Sequence, residues 1–324
     1  MHYKQAEKME IIRLVEQSDL GVIRTLNQLK VNKTTFYKWY NAFLQAGYNG
    51  LARKASRRKG SWNRINDADR DTVVEIALSK PELSPRELAW NITDTYNYYI
   101  SESSVYRILK ENGLITTPSF RVMSASDSFT DKTTAVNQMW QTDFTYFKII
   151  GWGWYYLSTV LDDYSRYIVT WKLCANMKAE DDAETLDEAL MAADLKNRNP
   201  PKLLSDNGSC YISNELAAYL ETKKIKHVRG RPLHPQTQGK IERYHRSMKN
   251  VVKLDNYFSP GQLEDKLMEF VNYYNNQRYH ESIQNLTPAE VYFGTGEKKL
   301  KQRKLSKTKT LNARKKQYQN LTLI

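Results

Sequence analysis

The chain has 324 residues, which is enough for two or three domains of ordinary size. Hydrophobic residues make up 40% of it, so packed cores can form and a wholly disordered chain is excluded. Lysine and arginine outnumber aspartate and glutamate by 49 to 36, and the net charge of +13 suits a polyanionic partner such as nucleic acid. The net charge alone does not exclude the alternative, an enzyme that is basic but has no nucleic-acid partner.

Simple patterns exclude three further classes of protein. No run of about 18 apolar residues is present, so we expect no transmembrane helix and no membrane partner. The N-terminal sequence MHYKQAEKMEIIRLVEQ is charged and lacks an apolar core, so we expect no signal peptide. The two cysteines, Cys174 and Cys210, form no CxxC pair and no zinc-spaced cluster with histidine, which argues against a disulfide framework and a zinc finger.

The N-terminal part of the chain is predicted to form three short helices. Apolar residues recur at helical spacing in residues 8–18, and residues 22–29 form a second helix. Asn32 is a suitable N-cap for a third helix over residues 33–46, which Gly47 ends. This is the helix-turn-helix layout, whose third helix presents a polar face to the DNA major groove. The first candidate DNA contacts on that face are Thr34, Thr35 and Lys38.

The same pattern returns in residues 65–116. A helix over residues 67–79 precedes one that Ser84 caps, and Glu87 three positions later completes a capping box. Ser101 caps a last helix, whose candidate DNA contacts are Ser103, Ser104 and Arg107. An ordinary three-helix bundle explains one such pattern equally well, but two in tandem favour DNA binding.

Two strongly basic segments are separate from these helices. Residues 53–64 hold six basic side chains and no acid, and an extended arm of this kind can lie along phosphates or in a minor groove. Its candidate DNA contacts are Arg53, Lys54, Arg57, Arg58 and Lys59. In residues 298–316, ten of the nineteen residues are basic, so we expect the tail to be mobile until it is bound. A solvated segment that only aids solubility is the alternative for both.

From about residue 139 the pattern changes to alternating strands and helices. Aromatic and β-branched residues predict three successive antiparallel strands, followed by a helix, a short strand, a helix, a fifth strand and a long helix. The strands are predicted over residues 139–150, 154–161, 167–173, 202–205 and 225–228, and the long helix over residues 240–252. This order predicts an α/β sheet covered by helices on both faces.

Three carboxylates lie where such a sheet can form a metal site. Asp143 is in the middle of the first strand, Asp206 follows the fourth, and Glu242 is in the first turns of the long helix. Hard divalent cations prefer oxygen ligands, and three carboxylates from separate elements can hold two of them. Two ions about 3.5–4 Å apart clamp the attacking and leaving oxygens of a phosphodiester displacement. The sequence therefore predicts two Mg²⁺ ions, for which Mn²⁺ can substitute.

The helix that carries Glu242 also presents cations. Arg246 and Lys249 lie four and seven positions after Glu242 on the same face, where they can hold a DNA phosphate beside the carboxylate. Lys240 is a third candidate DNA contact on this helix. A surface stripe of ion pairs would explain Glu242 taken alone. Asp206 and the loop over residues 229–239, which precedes the helix, together favour a metal site instead.

Five other acidic residues have a structural explanation. Asp162 and Asp163 fall in a hairpin turn, where aspartate is common. Asp181, Asp182 and Glu184 fall near the start of a helix, where negative charge suits the helix dipole. We therefore expect the metal site to form without them.

Four segments, WQTDFTYF, LDDYSRYIV, LLSDNGSCYIS and HPQTQGKIERYHRSMK, resemble the integrase core of bacterial insertion-sequence transposases. These proteins belong to the superfamily of DDE transposases and retroviral integrases. The resemblance covers roughly residues 130–295 and includes the ending YNNQRYHESIQNLTPAEVYF. It implies an α/β RNase H-like catalytic core, a mixed five-stranded sheet with helices, preceded by all-α helix-turn-helix domains. It also implies that Asp143, Asp206 and Glu242 are catalytic metal ligands and that Lys249 contacts DNA.

The resemblance implies a DNA transposase that binds the terminal inverted repeats of a mobile element. Metal-activated water would cut a strand at the element's end, and the freed 3′-hydroxyl would attack another phosphodiester, with no covalent protein–DNA intermediate. The implied partners are double-stranded DNA, as ends and as target, and further copies of the chain in a homodimer or higher oligomer. We expect a cytoplasmic bacterial protein that is nucleoid-associated when bound to DNA.

Two alternatives use the same features differently. A sequence-specific DNA-binding regulator with a non-catalytic integrase-like core would keep the helix-turn-helix domains but need no complete acidic set. A nuclease of the RNase H type would cut RNA–DNA hybrids without sequence preference, which the tandem DNA-reading domains disfavour. The chain also lacks the N-terminal His/His/Cys/Cys set of retroviral integrases, so the insertion-sequence branch is favoured.

The predicted organisation has six segments. The helix-turn-helix domains occupy residues 1–52 and 65–116, and the catalytic core with its C-terminal helices occupies residues 137–295. The basic linker is residues 53–64, a second linker is residues 117–136, and the basic tail is residues 296–324.

Overall fold

The computed structural model describes residues 3–52, 61–115, 133–195, 199–230 and 238–322. The chain separates into two compact units, Met1–Ser61 and Trp62–Ile324. The linker contacts predicted at Arg53, Lys54, Arg57, Arg58 and Lys59 lie outside the described residues and stay predictions. Within these ranges, no helix is both long enough and apolar enough to cross a membrane.

The first unit is a three-helix domain with α1 (Gln5–Glu16), α2 (Val22–Gln28) and α3 (Lys33–Gly50). Asn32 caps α3 as predicted, because its side chain accepts a hydrogen bond from the amide of Thr34 at 2.9 Å. The backbone at Gly47 is left-handed, with φ of 59°, so the regular helix ends there as expected. Thr34 and Lys38 are exposed and Thr35 is half-buried.

The second unit begins with another three-helix domain, formed by α4 (Asp67–Ser79), α5 (Pro85–Tyr96) and α6 (Glu102–Glu111). Ser84 and Glu87 form the predicted capping box of α5. Ser101 caps α6 by accepting a hydrogen bond from the amide of Ser104 at 3.3 Å. Local capping signals in the sequence therefore locate these helices correctly.

The second unit then forms a five-stranded sheet from β1 (Met139–Ile149), β2 (Gly153–Asp162), β3 (Ile168–Cys174), β4 (Lys202–Ser205) and β5 (His227–Arg229). The strand order is β3-β2-β1-β4-β5, antiparallel from β1 to β3 and parallel through β4 and β5. This mixed sheet confirms the RNase H-like fold. β4 pairs with β1 only from Met139 to Gln141, so β1 continues past the end of β4.

Helices cover both faces of the sheet. α7 (Ala179–Ala193) and α8 (Asn214–Thr222) lie on one face, and α9 (Gly239–Val252) and α10 (Pro260–Asn276) lie on the other. Side chains alternate along β1, so Trp140 packs in the core with α7 and α8, whereas Phe147 and Ile149 pack with α9 and α10. The chain ends with a short 3₁₀ helix (Glu281–Ile283), α11 (Pro288–Tyr292) and α12 (Gly296–Thr322).

The C-terminal segment was predicted to be a mobile tail, and that prediction is wrong. Its 27-residue helix, α12, packs against the second three-helix domain through a stripe of buried polar residues, namely Arg303, Ser306, Thr310 and Arg314. Arg303 donates to the carboxylate of Asp94 through Nε and Nη2, both at 2.7 Å, and lies over the ring of Trp90. Because this docking stripe is polar, a search for apolar periodicity misses it.

Replacing Arg303 should loosen α12. Arg303→Gln leaves the buried carboxylate of Asp94 with a weaker set of partners, and removing one member of a buried ion pair costs about 3–5 kcal/mol. We expect a lower urea midpoint and faster amide hydrogen exchange in α12. Lys304→Gln, at the exposed neighbouring position, is the control. Equal midpoints for the two variants would contradict a structural role for Arg303.

Candidate active site

Polar contacts fasten the first turn of α9 to the sheet. The side-chain amide of Gln238 donates to the carbonyls of Thr142 and Leu204 at 3.3 and 3.4 Å, so it bridges β1 and β4. The amide of Ile241 has no partner within its own helix at this position, and it donates to Oε1 of Gln141 at 3.1 Å. These bonds fix the position from which the side chain of Glu242 projects from α9.

A buried ion pair holds the same turn from the other side. Asp163 is 2% exposed, and its Oδ2 accepts a hydrogen bond from Nζ of Lys240 at 2.5 Å. Its Oδ1 accepts from Nε2 of Gln141 at 2.7 Å, and Thr133 donates to Oδ2 at 2.6 Å. Lys240, predicted as a DNA contact, therefore has a structural role in the described chain. Asp163, which was predicted as a turn residue, also anchors the start of α9 through Lys240.

Asp143 and Glu242 line one cleft of about 720 Å³ between β1 and α9. His245 lines the same cleft and is buried, with Nδ1 3.3 Å from Oδ2 of Asp143 and Nε2 3.4 Å from Oγ1 of Thr159. Thr159 is the residue of β2 that pairs with Asp143. His245 therefore ties α9 to both strands at the level of Asp143. The sequence signal for His245 is its position three residues after Glu242, which by itself predicts no role.

The two carboxylates influence each other electrostatically. Burial raises the pKa of Glu242, and the charge of Asp143 raises it further, while Arg246, Arg243 and His245 act to lower it. Carboxylate oxygens that repel each other are suitable donors for a divalent cation, which neutralises both. Glu242 is exposed, so water and substrate oxygens have room to complete such a coordination sphere.

Asp206 follows directly after β4. In the parallel pairing of β4 with β1, Leu204 lies opposite Gln141. Extending this register by two residues along each strand places Asp206 opposite Asp143. Oδ1 of Asp206 accepts a hydrogen bond from the amide of Gly208 at 2.8 Å, and the residue is exposed.

The structure brings together two of the three predicted carboxylates, Asp143 and Glu242, while Asp206 lies at the end of the adjacent strand. Across the described ranges, no group of three or more His, Cys, Asp or Glu side chains is close enough to hold a metal ion. The three-carboxylate metal site therefore stays a prediction, and the donor chemistry of its residues fits Mg²⁺.

The predicted cations Arg246 and Lys249 both line the cleft beside Glu242. Nζ of Lys249 lies 4.9 Å from the centre of the Tyr146 ring. Burial lowers the pKa of Lys249, and the like charge of Lys253 lowers it further, whereas Asp143 acts to raise it. One end of the cleft is therefore acidic and the other is basic.

Three further predicted DNA contacts, Ser103, Ser104 and Arg107, lie on α6 and do not line this cleft. On α6, Ser103 and Arg107 are exposed and Ser104 is half-buried. Arg107 folds back on its own helix, where it donates to the carbonyl of Ser103 at 3.0 Å and to Oγ of Ser104 at 3.3 Å. Together with the α3 residues described above, these contacts stay predictions.

Asp182, predicted to be part of the negative charge at a helix start, lies buried behind β1. Asp181 has that role, because its carboxylate accepts a hydrogen bond from the amide of Lys178 at 3.0 Å. Asp182 is fully buried and accepts from Oγ1 of Thr142, the neighbour of Asp143, at 2.9 Å. Burial raises the pKa of Asp182 to about 7, and the bond from Thr142 offsets only part of this increase.

Asp182→Asn should change how stability depends on pH. The folded protein holds a proton on Asp182 up to about pH 7, whereas the unfolded chain loses it near pH 4, so wild-type stability falls as pH rises between these values. Asparagine does not titrate. From pH 5 to pH 8 we expect the wild type to lose about 2–3 kcal/mol of unfolding free energy relative to the variant, measured by urea denaturation. Asp181→Asn is the control, and equal pH slopes for wild type and Asp182→Asn would contradict this assignment.

Profiles of known protein families match three parts of the chain. The integrase core domain matches residues 133–235, which contain Asp143 and Asp206. A second integrase core profile matches residues 223–288, which contain Glu242 and Lys249. A homeodomain-like profile matches residues 35–109, across both helical domains.

Individual proteins are similar over shorter stretches. The Gag-Pro-Pol polyprotein of simian retrovirus SRV-1 is 28% identical over 117 residues, which are 36% of this chain and 6% of the polyprotein. The transposase for insertion sequence element IS629 of Shigella sonnei is 26% identical over 184 residues, 52% of this chain and 57% of the transposase. The chain therefore spans just over half of that transposase and a small part of the polyprotein.

Among solved structures, this chain is similar to one chain of the structure of the simian T-cell lymphotropic virus intasome in complex with the PP2A regulatory subunit B56 gamma. The TM-score is 0.45 and the identity is 17%, over 68% of this chain and 74% of the matched one.

Proposed function

Because the chain is a member of the DDE transposase and integrase superfamily, we propose that it is a DNA transposase. It binds the terminal inverted repeats of a mobile element and carries out metal-dependent strand cleavage and strand transfer. The observation that supports this most directly is the convergence of Asp143 and Glu242 on one cleft, with Arg246 and Lys249 beside them.

The proposed chemistry is phosphoryl transfer. Asp143, Asp206 and Glu242 would hold two Mg²⁺ ions, which activate the attacking oxygen and stabilise the leaving oxygen when bound. Arg246 and Lys249 would hold phosphates of the bound strand at the mouth of the cleft.

The residues behind the carboxylates position them. His245 holds the carboxylate of Asp143 toward the cleft, and the pair of Asp163 with Lys240 fixes the start of the helix that carries Glu242. These contacts preorganise the donor oxygens, which is the protein's main contribution to chemistry of this type.

The proposed partners are duplex DNA and further copies of the chain. The homeodomain-like match across α3 to α6 supports DNA reading by the helical domains, through the N-terminal residues of α3 and α6. Joining two element ends to a target requires two active sites, so we propose at least a homodimer on DNA.

Glu242→Gln should keep the fold and DNA binding but lose Mg²⁺-dependent cleavage. The amide retains the size of the side chain and removes the charge that a metal ion requires, so we expect the cleavage rate to fall more than about 100-fold. The measurement is strand nicking of a labelled duplex carrying the element end, with and without Mg²⁺. Glu264→Gln, on the exposed surface of α10, is the matched control.

Two outcomes would count against the proposal. Nicking by Glu242→Gln at the wild-type rate would show that the site is wrong. Specific binding of the end by a wild-type protein that never cleaves it would favour the DNA-binding regulator instead.

Arg107→Ala should weaken binding to the element end and relax its specificity. Arg107 lies on the exposed face of α6, and a contact from a recognition helix to a base edge contributes about 1–3 kcal/mol of discrimination. We would compare binding of the end duplex and of a scrambled duplex at fixed salt. Lys110→Ala, in the last turn of the same helix, is the control. An equal loss of affinity for both duplexes would assign Arg107 to the phosphate backbone.

A further inference from the structure

Beside the cleft, one face of the sheet presents large exposed side chains. On this face Phe144 still packs on Tyr211 in the core that α7 and α8 form with the sheet, with ring centres 6.0 Å apart. Beyond it the same face carries Tyr146 and Lys148 of β1, and Trp154 lies directly opposite Lys148 on β2. Tyr146 is 52% exposed and Trp154 is 53% exposed. Large aromatic residues at such exposure, side by side, indicate a binding surface.

The two rings and their lysines form a defined group, which we call the aromatic strip: Tyr146, Lys148, Trp154 and Lys249. The rings are in edge-to-face contact, with centres 5.4 Å apart. Nζ of Lys249 lies 4.9 Å from the centre of the Tyr146 ring, and Nζ of Lys148 lies 6.0 Å from the centre of the Trp154 ring. Each aromatic surface therefore has a positive charge beside it.

The aromatic strip is continuous with the candidate active site. Tyr146 and Lys249 line the same cleft as Asp143 and Glu242, and Lys253 lines it as well. Tyr146 is three residues after Asp143 on β1, a distance of about 10 Å along the strand. That distance equals roughly three stacked nucleotides of one DNA strand.

The chemistry of the aromatic strip favours unpaired nucleotides over the other occupants. In a duplex the base faces are stacked on one another and cannot reach a protein ring, whereas an unpaired base can stack on tyrosine or tryptophan. The adjacent lysines match the phosphates that connect such bases. A protein partner is disfavoured, because the cores of protein interfaces are depleted of lysine.

We propose that the aromatic strip binds unpaired nucleotides of the DNA strand whose phosphodiester enters the cleft. This inference rests on the proposed function, since it assigns a strand to the same site. The bases would stack on Tyr146 and Trp154, and Lys148 and Lys249 would hold the intervening phosphates.

The test measures binding of the full chain to labelled 12-nucleotide oligothymidine and to a duplex of the same length, without divalent metal. The double variant Tyr146→Ser, Trp154→Ser should lose about 10- to 100-fold in affinity for oligothymidine, because the stacking of bases on the two rings is lost. Its affinity for the duplex should change less than about threefold.

Two further variants keep the test decisive. Tyr146→Phe with Trp154→Phe retains both rings and should bind oligothymidine within about threefold of the wild type, even if the serine variant folds poorly. Trp152→Ser is the matched control, because this indole is also exposed, on the hairpin turn, with its N–H donated to the carbonyl of Phe258 at 3.1 Å. It should bind as the wild type does.

Unchanged oligothymidine affinity in the serine variant would overturn the proposal, and so would an equal loss for oligothymidine and duplex. Loss of self-association in sedimentation, with DNA binding unchanged, would assign the surface to a second copy of the chain. Binding without metal is measured separately from cleavage. If the wild type binds oligothymidine through the aromatic strip but never cleaves element ends, the proposed function fails, and only the binding of unpaired nucleotides by the strip stands.

Discussion

The buried ion pair between Asp163 and Lys240, together with the hydrogen bond from Ile241 to Gln141, holds the start of α9, and the candidate site depends on that point. Each charge is satisfied, since Asp163 also accepts hydrogen bonds from Gln141 and Thr133. A buried pair is rarely a large source of net stability, but a charge left without its partner is costly, so the pair strongly disfavours any other position of the helix. Because Glu242 is two residues after Lys240, its placement relative to β1 follows from this interaction.

One strand, β1, organises the site through the alternation of its side chains. Gln141 points toward α9 and accepts a hydrogen bond from the amide of Ile241. Thr142 points to the other face of the sheet and donates a hydrogen bond to Asp182. Asp143 again faces α9 and lines the cleft. Further along, where the α7 and α8 layer no longer covers the strand, the same alternation exposes Tyr146. Three successive residues thus connect both helical layers to the position of one carboxylate.

Local sequence signals predict much of this architecture, and they fail where a polar group is buried by distant parts of the chain. Caps such as Asn32, Ser84 and Ser101 locate helices because their hydrogen bonds are made within three residues. The burial of Asp182 and Arg303 depends on partners 40 and 209 residues away, which no local pattern encodes. The sequence therefore predicted a helix-start charge for Asp182 and a mobile basic tail for the segment that contains Arg303.

The charges in the cleft are arranged for two kinds of ligand at once. At one end, desolvation and then the charge of Asp143 raise the pKa of Glu242, and at the other, burial and Lys253 lower the pKa of Lys249. Each end holds like charges close together, which is unfavourable until an opposite charge approaches. On the proposed function, divalent cations would relieve the acidic end and DNA phosphates the basic end. Phosphate oxygens would also complete the coordination of the cations, so metal and DNA would each strengthen the binding of the other.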